Sequence, residues 1–227
     1  MSEHKYPSIF ARRAFLTRLG AAAGVVGAGA ASLPAAAAQT SMTDKWQPAR
    51  HEMDDWYDKI PGKHRFVFDT ISPDGLQMGL QFANNFFNAN KDSYGLVDSD
   101  SAVIVIVRHK STSFGYNDAI WAKYGAKLSE QANNFVDPKT KEVPTVNVYA
   151  TDKGRMDGLI KRGAHIAVCQ MATRAIAGTL ARATGGTQDD VFNELAKNLV
   201  PNGHLVPAGI LAVNRAQEHG YTLATVI

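Results

Sequence analysis

The run Ala102-Val103-Ile104-Val105-Ile106-Val107 constrains this chain more than any other stretch. It has no polar face, and after the first residue every side chain is β-branched, which suits a pleated strand better than a helix. A strand of this kind must be covered on both sides, as in a parallel sheet lying between layers of helices. Further strands are expected at His64–Asp69, Val146–Tyr149, His165–Cys169, His204–Val206 and Tyr221–Val226.

Helix signals fall between them. Ser72-Pro73-Asp74 gives a cap residue, a proline at the first helical position and an acid in the first turn. Leu76, Leu80, Phe82, Ala83, Phe86, Phe87 and Ala89 then recur at helical spacing up to Tyr94-Gly95. Helices are also expected over Tyr116–Tyr124, Asp152–Arg162, Thr173–Thr184, Asp189–Leu199 and Ile210–His219. Gly163, Gly185-Gly186, Pro201 and Gly220 serve as stops. The alternation predicts a three-layer α/β/α sandwich with a mainly parallel sheet of five or six strands.

The first forty residues read differently. Ala11-Arg12-Arg13-Ala14-Phe15-Leu16-Thr17 holds a twin-arginine pair followed by Phe-Leu. An Ala/Gly-rich apolar run, Leu19 to Ala38, ends on small residues that suit signal-peptidase cleavage. Arg12 and Arg13 point to the twin-arginine route, which carries folded proteins. The run is about as long as a membrane span needs, but its Gly and Ala content favours a cleaved leader over an anchor. The expected organisation is a signal peptide over 1–38, an extension over 39–62 and one α/β domain over 63–227. The destination is periplasmic, reached through the twin-arginine translocase, with no stable membrane insertion after cleavage.

This division alters the charge reading. Lys5, Arg12, Arg13 and Arg18 against Glu3 account for the whole formal charge of +3. The mature part is therefore neutral, and the basic pI does not point to nucleic acid. The single cysteine, Cys169, excludes an intramolecular disulfide. In an oxidising compartment its thiol is buried, paired with another molecule, or reactive.

Ligands of open α/β sheets bind beyond the carboxyl ends of the strands, here the turns after Asp69, Val107, Val168 and Val206. Cys169 ends its strand shortly before a helix, where the positive end of the helix dipole and Arg174 favour a thiolate. The alternative is an inert buried thiol. His109, in the polar run Arg108–Ser113, is a candidate acid–base group, ligand contact or metal ligand, against a purely local hydrogen-bonding role. Asn84 and Asn88 stand one turn apart and can share a polar contact within the fold, across an interface or with a ligand. No HExxH spacing, acidic cluster, GxGxxG after the first strand or GxxxxGK[ST] is present, so neither a metal nor a cofactor is expected.

Two segments carry a resemblance. Gly163-Ala164-His165-Ile166-Ala167-Val168-Cys169-Gln170-Met171-Ala172-Thr173-Arg174 resembles the strand–Cys–helix segment of the DsrE/DsrF-like family. So does the ending, Leu205-Val206-Pro207-Ala208-Gly209-Ile210 through Arg215-Ala216-Gln217-Glu218-His219-Gly220-Tyr221. The resemblance implies a parallel α/β fold assembled as a homo-oligomer, a trimer or hexamer. It also implies that Cys169 accepts sulfur as a persulfide from a small sulfur species or a protein thiol. The competing expectation is a non-enzymatic ligand-binding or assembly module with an inert cysteine.

Overall fold

A computed structural model describes residues 47–150 and 155–227. The twin arginines Arg12 and Arg13, the leader and the start of the extension lie outside the described residues. An N-terminal 3-10 turn, Glu52–Asp54, leads into the short helix α1 (Trp56–Lys59). The order then runs β1 (His64–Thr70), α2 (Pro73–Tyr94), β2 (Ser101–Val107), a 3-10 helix (His109–Gly115), α3 (Asp118–Gln131) and α4 (Arg155–Lys161). It continues with β3 (His165–Cys169), α5 (Gln170–Thr184), α6 (Gln188–Lys197), β4 (Gly203–Val206), α7 (Gly209–Glu218) and β5 (Thr222–Val226).

The strands form a five-stranded sheet in the order β4-β3-β2-β1-β5, and every pairing is parallel. β2 is central and buried throughout. Its Val103, Val105 and Val107 pack with residues of α2 through α6. Its Ala102, Ile104 and Ile106 pack with α7 and α1. The apolar run is thus divided by the pleat between two cores, each such side chain worth about 1.5–3 kcal/mol of burial. The three-layer α/β fold expected from the sequence is what forms.

The two helical layers are unequal, and topology explains why. From β1 to β4 the chain steps across the sheet in one direction, so right-handed crossovers place the intervening helices on one face. The last crossover returns to the far side of β1 and places α7 on the other. One helix is too little for five strands, and the N-terminal segment completes the cover. Tyr57 and Ile60 are buried there, the Tyr57 hydroxyl donating to Ala212 O at 3.3 Å and Tyr221 donating to Tyr57 O at 2.7 Å. The extension from Gln47 therefore belongs to the same compact unit as the rest.

Local chemistry sets the helix ends. Ser72 Oγ accepts the Gly75 N–H at 2.9 Å, and Gly95 closes α2 with φ 67°, a left-handed conformation that suits glycine. Thr187 and Asn117 cap α6 and α3.

The expected strand Val146–Tyr149 is not one, which leaves the sheet with five strands. Asn147 explains the difference, because its buried amide supplies partners that a neighbouring strand would otherwise provide. Its Nδ2 donates to Phe114 O at 2.8 Å and Tyr116 O at 2.7 Å, while Oδ1 accepts the Tyr149 N–H at 3.2 Å. Val148 and Tyr149 still join the core from this turn, so apolar alternation there reflects a buried loop. Replacing Asn147 by Ala strands two buried carbonyls. We expect a stability loss of about 2–4 kcal/mol, read as a lower urea midpoint with unchanged slope.

Candidate functional site

β3 and β4 are neighbours whose onward connections diverge. α5 leaves β3 for the many-helix face, and α7 leaves β4 for the other. Such a divergence opens a crevice at the carboxyl ends of the two strands. Cys169 stands at that point, in register with Val206.

Cys169 is the last residue of β3 and the N-cap of α5, which begins at Gln170 rather than at Thr173 as expected. Its Sγ accepts the Ala172 N–H at 3.4 Å, taking one of the first-turn donors that have no partner within the helix. Its carbonyl accepts from Thr173 Oγ1 at 2.9 Å, and Thr173 Oγ1 in turn accepts from the Tyr116 hydroxyl at 2.9 Å. Burial is the main cause that pushes the Tyr116 phenol far above its ordinary range, so it remains a neutral donor. The thiol itself is 7% exposed, and two exposed apolar side chains, Met171 and Ile210, begin the helices on either side.

The guanidinium associated with this crevice is Arg108. Its Nε and Nη2 bind Asp69 Oδ1 and Oδ2 at 2.7 and 2.9 Å, a two-point pairing that fixes both groups. Asp69 is only 2% exposed, which makes it a buried carboxylate held by a partner just past the end of the neighbouring strand. The hydrogen bond to Asp69 raises the Arg108 pKa, burial works against it, and the charges of Asp69 and Cys169 add to the rise. The Arg108 side chain packs where a Cβ on Gly209 would stand, so a glycine opening α7 lets the arginine cross the crevice floor. Ser111 ties the turn: its Oγ accepts the Arg108 N–H at 3.0 Å and contacts Thr70 O and Arg108 O at 2.9 Å each.

His109 follows Arg108 at the same edge, exposed, with φ 56°. A non-glycine residue in the left-handed region carries strain of order 1–3 kcal/mol, here imposed by the chain's turn from β2 into the 3-10 helix. Arg174 does not face the cysteine. Its guanidinium lies over the Phe192 ring at 4.0 Å and reaches Asp189 at 3.4 Å, which ties α5 to α6. Asn84 and Asn88 sit three to four turns along α2, away from the strand ends that bear Cys169. Their Oδ1 atoms accept from Arg162 Nη1 at 3.2 and 2.8 Å, and Arg162 also chelates Asp98 and covers Phe87. Of the sequence candidates, Cys169 and His109 share the carboxyl edge, whereas Arg174, Asn84 and Asn88 serve helix–helix contacts.

Sequence reasoning had named the turn after Asp69 and the run from Arg108, but not their pairing. The available signal was a lone carboxylate ending one apolar strand and a lone guanidinium ending another. A separate surface concavity is lined by Asn117, Asp118, Ala150, Val200 and Pro201, at the start of α3. Among the described residues, no three His, Cys, Asp or Glu side chains converge as a metal site. No helix there is long and apolar enough to cross a membrane.

No protein-family model matches the chain, and no curated protein matches it.

The buried pair gives an asymmetric expectation. Arg108→Met leaves the Asp69 carboxylate uncompensated and lowers stability by about 3–5 kcal/mol. Asp69→Asn leaves a partly exposed arginine and a neutral amide, and costs less, about 1–3 kcal/mol. Urea unfolding of the two variants checks both the sizes and their order.

Proposed function

We propose that the protein is an exported carrier of sulfane sulfur that uses Cys169 as its acceptor. The observation that carries this reading is the position of the chain's sole thiol. It lies in the β3–β4 crevice, with its sulfur on a first-turn N–H of α5 and the Arg108 guanidinium nearby. A first-turn N–H and the positive end of a helix suit a negatively charged sulfur. The likeness of Gly163–Arg174 and Leu205–Tyr221 to the DsrE/DsrF-like family supports the same chemistry.

The step is a displacement. The Cys169 thiolate attacks the outer sulfur of a small persulfide, polysulfide or thiosulfate, forming a new S–S bond. The donor's own S–S bond breaks, and its electron pair leaves with a thiolate from a persulfide, a polysulfide one sulfur shorter (or hydrosulfide) from a polysulfide, or sulfite from thiosulfate. No external oxidant is consumed, and the product is a Cys169 persulfide whose outer sulfur passes to an acceptor thiol by the same reaction. The limited exposure of Cys169 selects small donors over bulky ones. The twin-arginine leader with Arg12 and Arg13 supports a periplasmic setting for this chemistry.

Treatment of the folded protein with polysulfide should raise its intact mass by one sulfur atom, and Cys169→Ser should abolish the gain. A native thiol that resists both sulfuration and alkylation would sink the reading in favour of an inert helix cap. In whole cells, Arg12→Lys with Arg13→Lys should shift the protein from the periplasmic to the cytoplasmic fraction with its leader uncleaved.

A further inference from the structure

The face that carries α7 is completed by the N-terminal strap, residues 52–60, and the strap lands on two histidines. Trp56 lies flat on the His204 imidazole, ring centres 4.0 Å apart and planes 11° from parallel. Its ring centre is 6.3 Å from that of His165. His165 and His204 sit on adjacent strands, near the amino-terminal edge of the sheet, with His165 Nδ1 only 2.7 Å from His204 Nε2. At that separation one ring donates and the other accepts. Two protonated rings would point N–H at N–H, so the contact requires a neutral partner.

Both rings are half-buried, and among the described residues no carboxylate pairs with either. Burial lowers the His165 pKa, and burial followed by the charge of His165 brings His204 down to about 4. The charged groups on the packed elements are engaged with one another. On the strap, Asp54 meets Arg215 of α7, which also holds Glu218. Asp58 meets Arg50, Arg65 of β1 and His219. His219 Nδ1 is 2.9 Å from the Asp58 carboxylate but off the line of a hydrogen bond. Glu52, Asp55, Lys59 and His51 are exposed.

We infer that the His165–His204 pair is an acid-operated latch for the strap, whose protonation expels Trp56 and undocks residues 52–60 while the sheet stays folded. The direction follows from linkage. An undocked imidazole titrates near about 6.5, above the docked values, so docking is undiminished above that pH. It is lost as pH falls from there toward about 4, by up to tenfold per pH unit for each histidine that titrates. The Asp58 carboxyl titrates below this window. Burial acts to raise its carboxyl, but the close His219 imidazole and the charges of His219, Arg50 and Arg65 hold it below its ordinary value. His165, Ala167 and Cys169 are alternate residues on one face of β3.

Amide hydrogen exchange on the folded chain at about pH 7.5 and about pH 5, corrected for intrinsic rates, tests this. Exchange over residues 56–60 should accelerate at least about tenfold at the lower pH while β2 amides hold their protection. The His165→Gln/His204→Gln double variant should show no such difference. Parallel acceleration in β2, or an unchanged pH response in the double variant, overturns the latch. Imidazole NMR titration of the unmodified protein decides the matter without any variant. Midpoints well below the ordinary histidine value support it, and ordinary midpoints for both rings overturn it.

Discussion

Everything in this molecule depends on the exclusion of water from both faces of β2. A strand with no polar side cannot lie at the surface, so each pleat face must find its own helical layer. The β1–β4 progression supplies one layer generously, with α2 through α6. The other receives α7 alone and would leave apolar sheet exposed without a contribution from outside the repeating β–α pattern. The segment before β1 makes that contribution through Trp56, Tyr57 and Ile60.

The same topology places the chemistry. Because the chain leaves β3 and β4 toward opposite faces, the carboxyl ends of these strands are where the layers part. Cys169 ends one strand, Gly209 begins the helix that follows the other, and Arg108 reaches across beside that glycine. The Asp69–Arg108 pair is costly to bury and is held by two short contacts, so it acts as a rigid charged floor. Its geometry is set by the register of β1 on β2, and that register is set by the apolar run.

Much of this was legible because it is local or periodic. The Ala102–Val107 run, the Ser72-Pro73 start and the Gly95 stop each carry their structural meaning within a few residues, and they predicted the layers and the parallel sheet. Val146–Tyr149 misled because alternation records burial, and a loop pinned by Asn147 can bury alternate residues as a strand does. Arg174 was attractive because it is close to Cys169 in sequence. Five residues along a helix is about 140° of rotation from the starting side, which turns it toward α6. Arg108 was harder to connect to Asp69 because their pairing depends on which strands are neighbours, and strand order is not written in any short segment. Asn84 and Asn88 share one partner, Arg162, and it lies outside α2, beyond the reach of a local pattern.

Cys169 has two roles that cannot be separated. The atom that would carry a chemical group is also the atom that closes the first turn of α5, so any occupant of the sulfur shares its space with the Ala172 amide. Loading and helix closure are then reciprocal by thermodynamic necessity: whatever a bound group does to the turn, tightening the turn does to the group. Under the proposed function the first turn of α5 becomes a gauge of the sulfur's chemical state, and through Thr173 and Tyr116 that gauge reaches the core rather than the surface.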